Sequence, residues 1–248
     1  MCIAAWAWHA HPDYPLIVVA NRDERHERPT DPLSRWNDGS GIIAGRDRLS
    51  GGTWLGLSEQ TGRFALITNF RTEALLPDSP SRGELLTDWL TGAWRNVDDR
   101  GAALSRYNGF TLLLVDGGHG WVIGNLEHHA ALPIDGGIHG LSNGPFCRPW
   151  PKTERLVNDL RGAIGTGNAA QAPDETELFR ILDRRSSITS PDAVGAPAFI
   201  KDPVYGTRCS TVVIAKADGT GSITERRFDA DGEAVGETRI AFSLRSAA

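Results

Sequence analysis

The sequence predicts an α+β protein, a four-layer αββα sandwich of two antiparallel sheets flanked by helices. Three observations carry this. Apolar runs of strand length are joined by Gly, Pro and Asp turn residues. Helical periodicity is confined to two parts of the chain. Strands and helices never alternate as βαβ units, which argues against a parallel sheet.

Taken in order, "CIAAWAWHA" and "PLIVVAN" are two strand-length runs split by "HPDYP", whose Pro12, Asp13 and Pro15 predict a hairpin. Leu16 to Ala20 is apolar at every position, as in a strand covered on both faces. "GTWLGLSEQTGRFALITNF" predicts a second hairpin turning near Gln60 to Gly62. "SRGE" at 81–84 has the form of a capping box, with Ser81 as N-cap and Glu84 three residues on. Leu85, Leu86, Trp89, Leu90 and Trp94 then recur at helical spacing. A third hairpin, "FTLLLVDGGHGWVIG", turns at Gly117 and Gly118. After the proline-rich "GPFCRPWP", "KTERLVNDLRGAI" predicts a helix with Pro151 in its first turn, and "DETELFRILDRR" a second, shorter one. From "TRCSTVVIAKADGTGSITERRF" onward the chain reads as a strand meander, with turns at Asp218-Gly219 and Asp231-Gly232. No repeat, low-complexity tract or linker divides it, so residues 1–248 are expected to form a single domain.

Bulk properties bound the function. At 248 residues the chain can bury a large core. A net charge of -5 gives no reason to expect nucleic acid or an anionic membrane as partner. Three cysteines, Cys2, Cys147 and Cys209, cannot all pair and form no CxxC, which suits a reducing compartment. No apolar run approaches the roughly 20 residues needed to cross a bilayer. The start lacks the charged n-region of a signal peptide. A cytoplasmic protein without membrane insertion is expected.

The first hairpin carries the chemistry. A turn near Pro12-Asp13 pairs residues whose numbers sum to about 25. That sets Cys2 opposite Asp23, within about two residues, beside the polar run Asn21, Arg22, Asp23, Glu24. Methionine is readily trimmed ahead of a residue as small as cysteine. Cys2 would then own a free α-amine of pKa about 7.7–8.0, usable as a base near neutral pH. A thiolate is the reactive form, and a nearby cation such as Arg22 favours it. Asp23 or Glu24 would orient the amine. An N-terminal residue that is both nucleophile and base is an established arrangement. The other reading of Cys2 is a small buried hydrophobe. Asn69, ending "FALITN", and Asn143, in "GLSNGP", are either turn residues or oxyanion donors. Arg208, in "YGTRCST", is either a clamp for an anionic group or a strand-edge charge.

"MCI" at the start, "NRDE" at 21–24, "GGTWLG" at 51–56, "TNFR" at 68–71 and "LSNGP" at 141–145 resemble the NRDE family, which includes the transport and Golgi organisation proteins of eukaryotes. The resemblance implies an N-terminal nucleophile hydrolase-like fold. It is also similar, more distantly, to bile salt hydrolases and penicillin acylases, which cleave amide bonds with an N-terminal cysteine. By that likeness Cys2, Arg22, Asp23, Asn69 and Asn143 are the expected catalytic residues, and Asn21, Glu24, Trp54 and Arg208 the expected substrate contacts. The order Asn-Arg-Asp-Glu departs from the hydrolase spacing of arginine and aspartate, so Asp23 and Glu24 remain alternatives. The implied activity is hydrolysis of an amide or thioester bond in a small acyl substrate, with no cofactor required. The alternative, from the family's link to haem trafficking, is a non-catalytic carrier of haem or another hydrophobic ligand on the same fold.

Weaker signals complete the reading. "GLSNG" matches GxSxG, but the prolines that follow prevent the helix a nucleophile elbow needs. His9 and His11 share one face of the expected first strand, and His128-His129 are adjacent. No acidic or thiol partner at metal-binding spacing joins them, so no metal site is expected, although they are the natural haem ligands under the carrier reading. Trp6 and Trp8 fall on the Cys2 face and could line an apolar pocket.

Overall fold

The computed structural model describes residues 2–70, 72, 75–126, 130–165, 172–185 and 197–244. In chain order the elements are β1 (Cys2–Trp8), β2 (Leu16–Arg25), β3 (Thr30–Arg35), β4 (Ile42–Asp47), β5 (Leu55–Ser58), β6 (Phe64–Asn69), α1 (Gly83–Thr91), a 3-10 stretch (Val97–Arg106), β7 (Phe110–Asp116), β8 (His119–Gly124), β9 (Leu132–Pro133), β10 (Gly137–Leu141), α2 (Pro151–Ile164), α3 (Glu175–Leu182), β11 (Tyr205–Ala215), β12 (Thr220–Phe228) and β13 (Ala234–Ser243). They form two antiparallel sheets, ordered β10-β1-β2-β11-β12-β13 and β3-β4-β5-β6-β7-β8-β9. The α+β class and the pair of antiparallel sheets are those the sequence predicts. The chain divides into two compact units, Met1–Glu27 with Gly136–Phe242, and Arg28–Asp135 with Ser243–Ala248, each built around one sheet. Among the described residues no helix is long and apolar enough to cross a membrane.

In the first unit, strand alternation divides β1 and β2 into two faces. Ile3, Ala5, Ala7, Ile17 and Val19 pack with Val212 against Leu156 and Leu160 of α2 and Leu178, Phe179, Ile181 and Leu182 of α3. Each of the valine, leucine, isoleucine and phenylalanine side chains among them contributes roughly 1.5–3 kcal/mol by leaving water. Cys2, Trp6, Trp8 and Arg22 take the opposite face. β2 does not stop at Ala20. It carries the polar run through to Arg25 because β11 lies along its other edge and supplies partners. The hairpin turns as predicted, but its register pairs Cys2 with Arg22, one residue from the expected Asp23. β1 also ends at Trp8, so His9 and His11 belong to the turn and not to a strand face. His9 takes φ 46°, and His11 is buried, its Nδ1 accepting the Asp13 N–H at 3.2 Å.

In the second unit, α1 lays Leu85, Leu86, Trp89 and Leu90 on Ile42, Ala44, Ala65, Ile67, Leu112 and Leu114. The predicted helical face is correct, except that Trp94 joins this core from beyond the helix end. The capping box does not form. Arg82 is the N-cap, with no side-chain cap bond, and the Glu84 carboxylate instead accepts the Tyr107 hydroxyl. The helix start is set by tertiary contact. A Cβ on Gly52 would lie 2.6 Å from the Gly83 carbonyl carbon, so the two backbones touch. Gly117 (φ 53°) and Gly118 (φ 90°) make the two-residue turn between β7 and β8, where Asp116 pairs with His119. β3 and β4 are unanticipated. Pro32 and the charges around it mask β3, and an edge strand is where a sheet tolerates proline.

Candidate active site

The sequence-predicted residues of the first unit converge at one end of its sheet. Cys2 opens β1, half-buried, directly across from Arg22. Arg22 is paired in turn with Cys209 of β11, and Cys209 with Arg227 of β12. A row of Cys-Arg-Cys-Arg therefore crosses four strands on one face. Glu225, two residues before Arg227, is buried, and Arg227 Nη1 lies 3.5 Å from its Oε1. None of Cys2, Cys147 and Cys209 is in a disulfide.

Asp23 points to the helix-covered face, two residues beyond Asn21. Thr207 Oγ1 donates to Asp23 Oδ1 at 2.7 Å and itself accepts the Ile200 N–H at 2.9 Å. The Tyr205 hydroxyl donates to the Asp23 carbonyl at 2.8 Å. Burial pushes the Asp23 carboxyl up to about 6, while the amino terminus, the Thr207 hydroxyl, Lys152 and Arg22 pull it down. Burial also raises the Cys2 thiol. The amino terminus and Arg22 oppose that rise, and the Asp23 charge adds to it. The Cys209 thiol is raised well above its ordinary value, first by burial and then by Glu225. Both cysteines of the row are raised by burial, and Cys209 is raised further by the Glu225 charge.

Asn143 lies two residues past β10 and is 1% exposed. β1 and β10 pair Ala4 with Leu141, and the same register carried two residues further brings Asn143 level with Cys2. Arg208 is the extra residue of a β-bulge between Thr207 and Cys209, the kind of irregularity that re-aims a side chain beside a site. Its Nη1 donates to the Arg25 carbonyl at 2.8 Å, and burial followed by Arg22 lowers its hold on the proton. Glu24 is half-buried and accepts the Arg25 N–H at 2.8 Å.

Asn21, expected to touch substrate, is instead engaged in structure. Its amide donates to the Leu182 and Ala198 carbonyls at 3.0 and 2.8 Å, and its oxygen accepts the Ser210 hydroxyl at 2.6 Å. Asn69 and Trp54 belong to the second unit. Asn69 ends β6 in register with Phe110. Trp54 packs on that unit's core, its ring seated on Gly45, where a Cβ would come within 2.3 Å of Cη2. His128 and His129 lie outside the described residues, as does Arg71 of the "TNFR" motif.

Sequence reasoning missed Lys152 and the pair Cys209–Glu225. Lys152 is the second residue of α2 and only 3% exposed. Its ammonium lies 5.6 Å from the centroid of the Trp150 ring. Burial lowers its proton affinity, and the charges of Asp23 and Cys2 raise it. A lysine in the first turn of a helix, against the macrodipole, is the one signal that could have marked it.

Comparison with known proteins gives the family. The family described as "Transport and Golgi organisation 2" matches residues 1–230. The human Transport and Golgi organization protein 2 homolog is 31% identical over 284 residues, covering 99% of this chain and all of the relative. The Bos taurus homolog is 31% identical over 260 residues, covering 91% and 92%. The mouse homolog is 29% identical across 99% of this chain. A terminal cysteine set against the "NRDE" strand, inside a match that spans nearly the whole chain, means that this protein belongs to the Transport and Golgi organisation 2 family.

Proposed function

We propose that the protein is a cysteine N-terminal nucleophile hydrolase acting on an amide or thioester bond of a small acyl substrate. The observation that carries this is the placement of Cys2 at the head of β1, across from the Arg22 guanidinium, with Asp23 next in the strand. Removal of Met1 frees the Cys2 amine. That amine takes the thiol proton as sulfur attacks the substrate carbonyl. A C–S bond forms, and the electron pair moves onto the carbonyl oxygen. The Asn143 side-chain amide, level with Cys2, is the donor for that oxyanion. As the carbonyl re-forms, the bond to the leaving amine or thiol breaks, and the α-amine returns the proton to the departing group. Water then attacks the acyl-enzyme thioester, releasing the acid and restoring the thiol. Asp23 orients the amine from the helix-covered face, with Thr207 fixing the carboxylate.

The test joins intact-mass analysis with hydrolysis of an amide and thioester panel. Loss of Met1, rapid labelling of Cys2 ahead of Cys147 and Cys209, and a fall in turnover of at least about 100-fold in both Cys2→Ala and Cys2→Ser are expected. Retained Met1, or unchanged turnover in Cys2→Ala, would overturn the mechanism.

A further inference from the structure

Lys152 is in a position that a lysine does not occupy for stability. Lysines are almost never fully buried without a partner, and a long side chain at a helix start ordinarily reaches for water. Here the residue is 3% exposed and sits where the helix macrodipole is positive, two separate costs. Among the described residues no carboxylate forms an ion pair with it, and its ammonium rests over the Trp150 indole.

The surroundings explain the position. α2 begins directly on the segment that carries Asn143, and it is pinned there from two sides. Thr153 Oγ1 bonds Ser142 Oγ at 2.7 Å, one residue before Asn143. Trp150 packs against Gly144, one residue after it, so closely that a Cβ there would come within 2.2 Å of the indole Nε1. Gly140 is equally tight, since a Cβ would meet Thr153 Cγ2 and Val157 Cγ2 at 2.7 Å. The helix start is thus held over the strand end level with Cys2. Asp23 faces the same side, because Asn21, two residues earlier, bonds the Leu182 carbonyl at the end of α3. The charges of Lys152, Asp23 and Cys2 act on one another.

We propose that Lys152 is a positioning residue of the Cys2 site, a buried ammonium that supplies the countercharge to Asp23 and to the Cys2 thiolate from the helix side. This rests on the reading of Cys2 as a nucleophile. The groups whose charges bear on Cys2 are then the amino terminus, Arg22 and Asp23 from the first hairpin, Cys209 from β11 and Lys152 from α2. Cations on both faces of the sheet end favour the thiolate and the oxyanion formed from it.

The test is the pH profile of Cys2 alkylation by iodoacetamide on the full-length protein, with the modified site mapped by mass spectrometry. Lys152→Met removes the charge at similar volume, and Lys152→Arg keeps it. We expect the midpoint in Lys152→Met to move up by about one pH unit, a roughly tenfold lower rate near neutral pH. Lys152→Arg should stay within about threefold of wild type. A Lys152→Met profile that overlays wild type, with or without a lower melting temperature, overturns the proposal, because a purely structural lysine would change stability and leave the midpoint. Competitive trace acetylation reads the reverse coupling without a variant at 152. The Lys152 titration should fall in Cys2→Ala, and an unmoved titration overturns the proposal equally. Alkylation needs no substrate, so failure of the hydrolase reading is seen separately, as hydrolysis that survives in Cys2→Ala.

Discussion

Asn21 and Asp23 lie two residues apart on one face of β2 and are buried with opposite consequences. The Asn21 amide and oxygen are matched by two carbonyls and a hydroxyl, so its burial costs little. Asp23 buries a carboxyl whose charge is only partly offset, and its proton is held to about pH 6 against an ordinary value of 3.8. Between those values the native chain keeps a proton that the unfolded chain has released. Stability at this residue therefore falls as pH rises through the window and is highest below it. Two pH units correspond to roughly 3 kcal/mol. We expect the urea midpoint of wild type, relative to Asp23→Asn, to fall between pH 4 and pH 6.5. A difference that stays constant with pH would show that Asp23 titrates in the folded chain as it does in the unfolded one. The polar identity of both residues was legible in "NRDE". Their different roles were not, because the groups that separate them come from Leu182, Ala198, Thr207 and Ser210, far along the chain.

At the scale of elements, Arg63 adds a polar tie between the end of α1 and the sheet of the second unit, beside their shared apolar core. Arg63, just before β6, donates to the carbonyls of Trp89, Trp94 and Arg95 at 3.2, 2.7 and 2.9 Å. Its Nε bonds Asp116 Oδ2 at 2.8 Å, and the guanidinium lies 4.1 Å from the Trp89 ring centroid. The Trp89 carbonyl also accepts the Gly92 N–H, and Trp94 and Arg95 follow the helix, so a residue distant in sequence fixes the turn where α1 ends. Arg63→Met leaves the carbonyls and Asp116 without that donor. A loss of about 3 kcal/mol in urea unfolding is expected. A change below about 1 kcal/mol would mean that water replaces the guanidinium. Ser81 illustrates the contrast. Its motif was plain in the sequence, and Ser81 Oγ accepts the Gly83 N–H at 3.3 Å, but the reciprocal bond of the box is missing because Tyr107 engages Glu84.

At the scale of the whole molecule, the end of the chain completes what its beginning starts. β2 takes β11 as its neighbour along ten paired positions, from Tyr205–Arg25 to Ala215–Leu16. A chain stopped after residue 204 loses β11, β12 and β13 and leaves the β2 edge open, with Thr207 and Ser210 gone from Asp23 and Asn21. An unpaired apolar edge of that length invites association. Such a fragment is expected to show no cooperative thermal transition and to sediment as aggregates. A monomer with a native-like melt would mean that β1 and β2 hold their sheet without β11.

The sequence by itself determined what short-range chemistry controls. Turn residues placed the three hairpins and the C-terminal meander, and apolar spacing gave the helical faces. The first hairpin's turn brought Cys2 within one residue of its true partner in "NRDE". Only the tertiary structure decided which groups complete the site. It put Arg22 and not Asp23 across from Cys2, committed Asn21 to α3, threaded Cys209 and Arg227 into the row, and buried Lys152 at the start of α2. The physical reason is distance along the chain. Turn and helix signals act over a few residues, whereas strand order and helix docking are settled by burial among segments that the sequence keeps far apart.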